Sequence, residues 1–272
     1  MKDDKHTNTY NTSTNNTEYD FIIDNITFSY SSITTFENCK YGFKLAYIDK
    51  KERVNNFFGE YGTLVHNTLE LYFDGTLENY ELSGYFKDMY YETMVSPPPP
   101  YPAGMEENYI EQAEKFFDEF YFPVGEYDIV SVEDTLWFDI DGTNFTGRPD
   151  LILKEKETNE RILTDFKTSK INPTLKSWDK KKIEGYHKQM LLYIYGFRKA
   201  KDIKIDKIML WFTRPDRKIF IPWTQKEEDH TLDWIRGLLK DIRSEKEFEA
   251  NTSSDYFCNY LCGVREHCEY RG

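Results

Sequence analysis

No run of the sequence is apolar enough to span a membrane, and its start lacks the charged-then-apolar pattern of a secretory signal. A cytoplasmic protein is expected on that basis. Cysteine is scarce, with four in 272 residues. In a reducing compartment, so few thiols are read as metal ligands or buried thiols rather than disulfides. Positive charge is in deficit: 35 Lys and Arg against 48 Asp and Glu leave a net −13. That excludes a whole-surface electrostatic grip on a polyanion and leaves room only for a local basic segment. No helicase or ATP-binding signature is present. Apolar residues are not lacking. At 39% apolar and 17% aromatic, the chain is globular. Its length suits one large domain, or one domain with a small lobe. Only residues 1–19, rich in Asn, Thr, Asp and Lys, lack apolar content, and a disordered tail is expected there. Residues 20–272 are expected to form a single domain.

The chemistry concentrates between Phe145 and Ile171. Two apolar runs, Leu151-Ile152-Leu153 and Ile162-Leu163, flank a charged segment, which reads as two strands joined by a hairpin loop. Asp150 opens the first strand; Asp165 and Lys167 close the second. Alternation puts Asp165 and Lys167 on one face and Phe166 on the other, toward the core. Two carboxylates and an ammonium at one end of a hairpin suit a divalent cation and a phosphate oxygen. The triplet Asp-x-Lys is common here, starting at Asp3, Asp49, Asp165, Asp179, Asp202 and Asp216. Only the copy at Asp165 closes an apolar strand preceded by a Pro-Asp pair.

Around this hairpin, helical periodicity is expected over Ile33 to Tyr47, with Ser29-Tyr30-Ser31-Ser32 as cap, and over Phe58–Phe73, Leu82–Val95 and Met105–Tyr121. Ser96-Pro97-Pro98-Pro99-Pro100-Tyr101-Pro102 reads as a stiff connector. Tyr127–Ile140 alternates like a strand, and Asp141-Gly142 is a hairpin turn. Glu133 on that stretch reads equally as a solvated strand charge or as part of the site. Gly147 allows close backbone approach. Downstream, Glu184–Arg198 reads as a helix with Gln189 and Tyr193 on one face. Ile205–Phe212 and Lys218–Trp223 read as strands, and Gln225–Phe248 as a long helix. The one basic segment follows Lys167 directly: Lys170, Lys176, Lys180, Lys181, Lys182 and Lys188, interleaved with Trp178 and Tyr186. Basic side chains with aromatics suit single-stranded nucleic acid through phosphate pairing and base stacking.

The cysteines are Cys39 near the start and Cys258, Cys262 and Cys268 in FCNYLCGVREHC at the end. Four thiolates can hold a [4Fe–4S] cluster or Zn²⁺, with His267 as a substitute ligand.

Pro149-Asp150 with Asp165-Phe166-Lys167 resembles the PD-(D/E)XK nuclease superfamily. Within it, four features resemble the RecB-like nucleases: the Ser-rich cap leading to Cys39, Gly62-Thr63 ahead of His66, Gln189 with Tyr193, and the cysteine triplet. The arrangement of one distant cysteine and a terminal triplet is similar to the AddB nuclease domain and the CRISPR-associated RecB-like exonucleases, although their triplet commonly begins C-x2-C. The resemblance implies an α/β restriction-endonuclease-like fold: a mixed central sheet flanked by helices, with a helical section at 57–122, a catalytic core at 127–223 and, at 225–272, a C-terminal helix and small iron–sulfur lobe that joins the chain ends. It implies Mn²⁺ or Mg²⁺ held by His66, Asp150, Asp165 and the Phe166 carbonyl. Lys167 would be catalytic beside those carboxylates, and Gln189 and Tyr193 would complete the pocket. A metal-dependent DNA exonuclease acting on single strands or ends is therefore expected, in repair, recombination or CRISPR adaptation. The alternative is a non-catalytic or partner-dependent DNA-end-binding subunit beside a helicase or CRISPR-integration partner. The Asn-, Lys-, Ile- and Tyr-rich composition points to an AT-rich bacterial or phage genome.

Overall fold

The computed structural model describes residues 19–172 and 174–271. The expected tail lies almost entirely outside the described residues. The chain opens with α1 (Asp20–Asp24), α2 (Tyr30–Asn38) and α3 (Lys40–Phe43), followed by a π-helical turn at Lys44–Ile48. The single helix expected from Ile33 to Tyr47 is broken at Cys39, which is extended at φ −158°, ψ 106°. Cys39 caps α3 instead, its sulfur accepting the Gly42 N–H at 3.3 Å. Ser29 caps α2, with Ser32 returning a hydrogen bond to the Ser29 N–H.

Three amphipathic helices follow: α4 (Phe57–Phe73), α5 (Leu82–Thr93) and α6 (Met105–Asp118). The proline-rich connector between α5 and α6 is pinned to α4. Buried Glu60 accepts the N–H groups of Val95 at 3.0 Å and Ser96 at 2.7 Å.

The strand expected over Tyr127–Ile140 is two strands in two sheets, β1 (Tyr127–Val132) and β2 (Leu136–Ile140). The chain turns between them at Glu133, whose φ is +50°. β2 pairs with β3 (Thr143–Gly147) across the expected Asp141-Gly142 turn. Then come β4 (Leu151–Glu155), β5 (Arg161–Lys167), α7 (Ser177–Lys201), β6 (Lys207–Phe212), β7 (Arg217–Ile221) and α8 (Gln225–Ser244). The main sheet runs β1-β4-β5-β6-β7; β5 and β6 are parallel, joined through α7, and the other neighbours are antiparallel.

Both faces of this sheet are covered, which explains why its central strands read as nearly continuous apolar runs. Leu151, Leu153, Ile162, Phe166, Met209 and Trp211 pack with α4, α5 and α6. Ile152, Leu163, Ile208, Leu210 and Phe212 pack with α2, α7 and α8. Alternation along each strand thus feeds two cores. The second core leaves Asp165 and Lys167 at the end of β5 facing α7. α7 begins seven residues earlier than expected from apolar periodicity, because its first turns are polar. Asp179 supplies the cap: its carboxylate accepts the Lys176 N–H at 3.0 Å and Asn172 Nδ2 at 2.9 Å.

Residues 251–269 dock on the segment around α3. Asn251 Nδ2 donates to the Asn38 carbonyl at 2.9 Å, the Val54 N–H to the Gly263 carbonyl at 2.8 Å, and Tyr41 OH to Glu269 at 2.9 Å. The described ends of the chain therefore meet.

Candidate active site

The site forms where the C-terminal end of β5 meets the start of β4 and the middle of α4. In the antiparallel register, Leu151 faces Thr164, so Asp150 comes beside Asp165. Asp150 is 7% exposed. One of its oxygens accepts the Phe166 N–H at 2.6 Å and the other lies 3.4 Å from His66 Nδ1. The Phe166 ring points away, packing against Phe73 and Trp211 and, edge-on, against His66.

Glu133 joins this pair. His66, Glu133 and Asp150 each offer a ligand atom, all within 4.8 Å of one another. The left-handed turn at Glu133 aims it there, and its N–H donates to the Asp150 carbonyl at 2.9 Å. Arg148 holds it: Nε lies 2.8 Å from Glu133 Oε2, while Nη2 reaches Glu70 at 3.1 Å. Imidazole and two carboxylates are a donor set suited to Mn²⁺ or Mg²⁺. A signal for Glu133 existed in the sequence: apolar alternation breaks at Glu133-Asp134, where the chain changes sheets.

Asp165 lies beside this trio in a buried ion pair with Lys167. Lys167 Nζ also donates to Gln189 Oε1 at 3.2 Å, Gln189 Nε2 donates to Tyr193 OH at 3.0 Å, and the ammonium sits 4.4 Å from the Tyr186 ring centre. Gly147 serves close approach, with Tyr193 as the neighbour: a Cβ at Gly147 would fall 2.6 Å from Tyr193 Cε1. The structure therefore brings together His66, Asp150, Asp165, Lys167, Gln189 and Tyr193, and adds Glu133 and Arg148.

The electrostatics follow from crowding acids in a dry place. Burial pushes His66 down, but the charge and hydrogen bond of Asp150, with Asp165, outweigh it and lift the imidazole to about 9. Burial, then Asp150, push Glu133 up to about 7 against Arg148. Burial raises Asp165 to about 6, with Asp150 adding to the rise and Lys167 opposing it. Burial works against the charge on Lys167, yet Asp165 and Asp150 hold it above the usual lysine range. Burial also opposes ionisation of Asp150, but His66, Lys167 and the Phe166 N–H keep it below the usual carboxylate range. Without a metal, the three carboxylates face the Lys167 ammonium, Arg148 and a protonated His66; a divalent cation would take the place of the protons on His66 and Glu133.

The basic segment is less uniform than its sequence. Lys170, Lys176, Lys180 and Lys181 are exposed, and Trp178 is 56% exposed with Lys176 4.9 Å from its ring centre. Lys182 reaches the Lys170 carbonyl at 3.4 Å. Tyr186 is half-buried against Phe212, and Lys188 lies 4.8 Å from the Trp234 ring centre, away from the metal-ligand trio.

The four cysteines gather in the docked lobe. Cys39 Sγ accepts a second N–H, from Asn251 at 3.4 Å. Burial, then Cys268 and Cys39, push the Cys258 thiol up. Burial also raises Cys262, with Cys39, Cys268 and Cys258 adding to it.

The PD-(D/E)XK nuclease superfamily model matches residues 27–269. The chain belongs to that superfamily. A comparison with curated proteins gives no match. Among solved structures, a candidate exonuclease from Eubacterium rectale is similar, with 13% identity and a TM-score of 0.53 over 94% of this chain and 92% of that one. A second, SSO0001, is also 13% identical, over 90% of this chain and 87% of that one, at a TM-score of 0.38. The family makes the chain a hydrolytic nuclease with DNA as substrate, and family members use divalent metals. No helix among the described residues is long and apolar enough to cross a membrane.

Proposed function

We propose that the protein is a RecB-like, divalent-metal-dependent DNA exonuclease acting on single strands or DNA ends, with a [4Fe–4S] cluster joining its chain ends. The observation that supports it most is the meeting of His66, Glu133 and Asp150 beside the Asp165–Lys167 pair. His66, Asp150 and Glu133 would hold the cation, with Asp165 and the Phe166 carbonyl completing its shell as the resemblance implies. The cation supplies Lewis acidity to the attacking water and the scissile phosphate. Lys167 orients that water and stabilises the charge developing on the phosphate oxygens. Gln189 fixes the ammonium by accepting from it, and Tyr193 fixes Gln189. Asp165 keeps Lys167 charged at a buried site.

For the cysteines, the resemblance of one distant cysteine with a terminal triplet to the iron–sulfur RecB-like nucleases supports a cluster over zinc. Cys39, Cys258, Cys262 and Cys268 would be the ligands.

The test is cleavage of end-labelled linear and circular DNA, single- and double-stranded, by anaerobically purified protein with Mn²⁺ or Mg²⁺, beside Lys167→Ala. Degradation of linear but not circular DNA is expected, the linear form lost showing the strand preference, with a loss of at least about 100-fold in the variant. Cutting of circles would make it an endonuclease. Absence of cleavage by folded, metal-loaded protein would favour a DNA-end-binding subunit that needs its partner.

A further inference from the structure

Cleaving a strand requires that the strand be held beyond the cut, and the exposed lysines stand only before and at the start of α7. Further along α7, a hollow of about 280 Å³ borders Gln189 and Tyr193 and is walled by Ser29, Ser31 and Arg148. Ser31 also lines a second hollow, about 260 Å³, which runs past Thr34 and Thr35 to Arg53, Tyr47 and the cysteine lobe. Ala46 and Tyr47 are shared in turn with a third, about 350 Å³, which contains Lys50 and Phe21. Shared walls make these three hollows one interrupted groove leading away from Lys167 along α2.

Among the described residues, no carboxylate lines any of the three hollows, and each contributes one cation: Arg148, Arg53 or Lys50. A hollow of about 580 Å³ at the opposite end of β5 and β6 is instead lined by Glu155, Glu160 and Asp206 with Lys207. The groove also offers ring faces. The Arg53 guanidinium lies 4.3 Å from the Tyr47 ring centre, and Phe21 is 82% exposed. Hydroxyls, spaced cations and aromatic faces without carboxylates match a single phosphodiester strand, through phosphate pairing and base stacking.

We infer that this groove, from Gln189 on α7 past Ser31 to Arg53 and Lys50, is the path of single-stranded DNA away from the site along α2. The inference rests on the nuclease reading above and deepens it by assigning the strand's course. Arg53 pairs with a backbone phosphate, and Ser31 is the exposed waist between the first two hollows.

The experiment is fluorescence anisotropy of labelled oligothymidylate, about 20 nucleotides long, with the full chain and Ca²⁺ in place of the catalytic cation. Arg53→Glu is expected to weaken binding at least about tenfold and to reduce the salt dependence by roughly one phosphate contact. Arg53→Lys should retain most of the affinity. Ser31→Trp, which fills the waist without changing charge, should weaken binding at least about fivefold. Lys204→Glu, 81% exposed near the opposite edge, should bind within about twofold of wild type. Melting curves establish that each variant is folded. Either Arg53→Glu or Ser31→Trp binding like wild type overturns the path, and so does an equal loss in Lys204→Glu. If wild type cuts DNA while both variants bind normally, the path alone fails. If binding depends on Arg53 and Ser31 but no metal supports cleavage, the nuclease reading fails and the path stands.

Discussion

The residue that most changes the picture of the site is Glu133. Its carboxyl is raised to about 7, chiefly by burial and then by Asp150, and His66 to about 9, where Asp150 and Asp165 overcome burial. Both shifts act on stability in the same direction. An acid raised from 4.5 loses folded-state stability as pH rises toward 7. An imidazole raised from 6.5 contributes stability that is fully present below 6.5 and lost as pH rises through 9. Metal-free protein should therefore melt at progressively lower temperature between about pH 5 and pH 9. Glu133→Gln should flatten the lower half of that decline. Added Mn²⁺ needs the deprotonated ligands, so its stabilising effect should grow over the same range. Thermal melts of wild type and Glu133→Gln across pH, with and without Mn²⁺, check this. Parallel curves for the two proteins would remove Glu133 from the coupled set. The strong pairing of Asp150, Asp165 and Lys167 was legible in the sequence because it is local to one hairpin. Glu133 was legible only as one of two equal readings, because its place depends on a left-handed turn between two sheets, a tertiary choice that alternation alone does not settle.

At the scale of elements, α7 carries both Gln189 with Tyr193 and the exposed lysines. Its apolar half was legible from periodicity. Its first two turns, Ser177 to Lys182, were not, because they bury little and are held by a cap. Asp179, 1% exposed, accepts from the Lys176 N–H and from Asn172. Asp179→Ala should cost about 1 kcal/mol, in the range of lost N-caps. In a chain of this size that lowers the melting temperature by roughly 2–4 °C. The damage should be local: amide exchange should accelerate in Ser177–Lys182 and leave Met190–Phe197, buried in the core, protected. Uniform acceleration along α7 would show that the cap is not what holds those turns. The break at Cys39 has a similar origin. Its flanks are apolar enough to read as one helix, but Gly42 and Asn251 both donate to the sulfur, and that requires Cys39 to leave helical geometry.

At the scale of the molecule, the expected sheet flanked by helices is found, and the apolar runs Leu151-Ile152-Leu153 and Ile162-Leu163 divide between the two cores on its faces. The association of the chain ends was implied by cysteine count and by resemblance. The structure adds the non-metal ties between them: Asn251 to Asn38, Val54 to Gly263, and Tyr41 to Glu269. These bonds are mostly at the surface, and each is worth about 1 kcal/mol at most. A metal centre ligated by Cys39 and Cys262 would add a cross-link closing a loop of more than 200 residues, the case in which constraint on the unfolded chain is largest. The prediction separates the two contributions. Cys262→Ser should lose its bound metal and melt well below wild type, while Tyr41→Phe should keep the metal and melt within a few degrees of it. Protein purified without oxygen should carry iron and acid-labile sulfide. If wild type carries zinc alone, the lobe is a structural zinc site. If Cys262→Ser melts with wild type and neither binds metal, the surface bonds hold the ends together, and the raised thiols of Cys258 and Cys262 reflect burial and mutual repulsion.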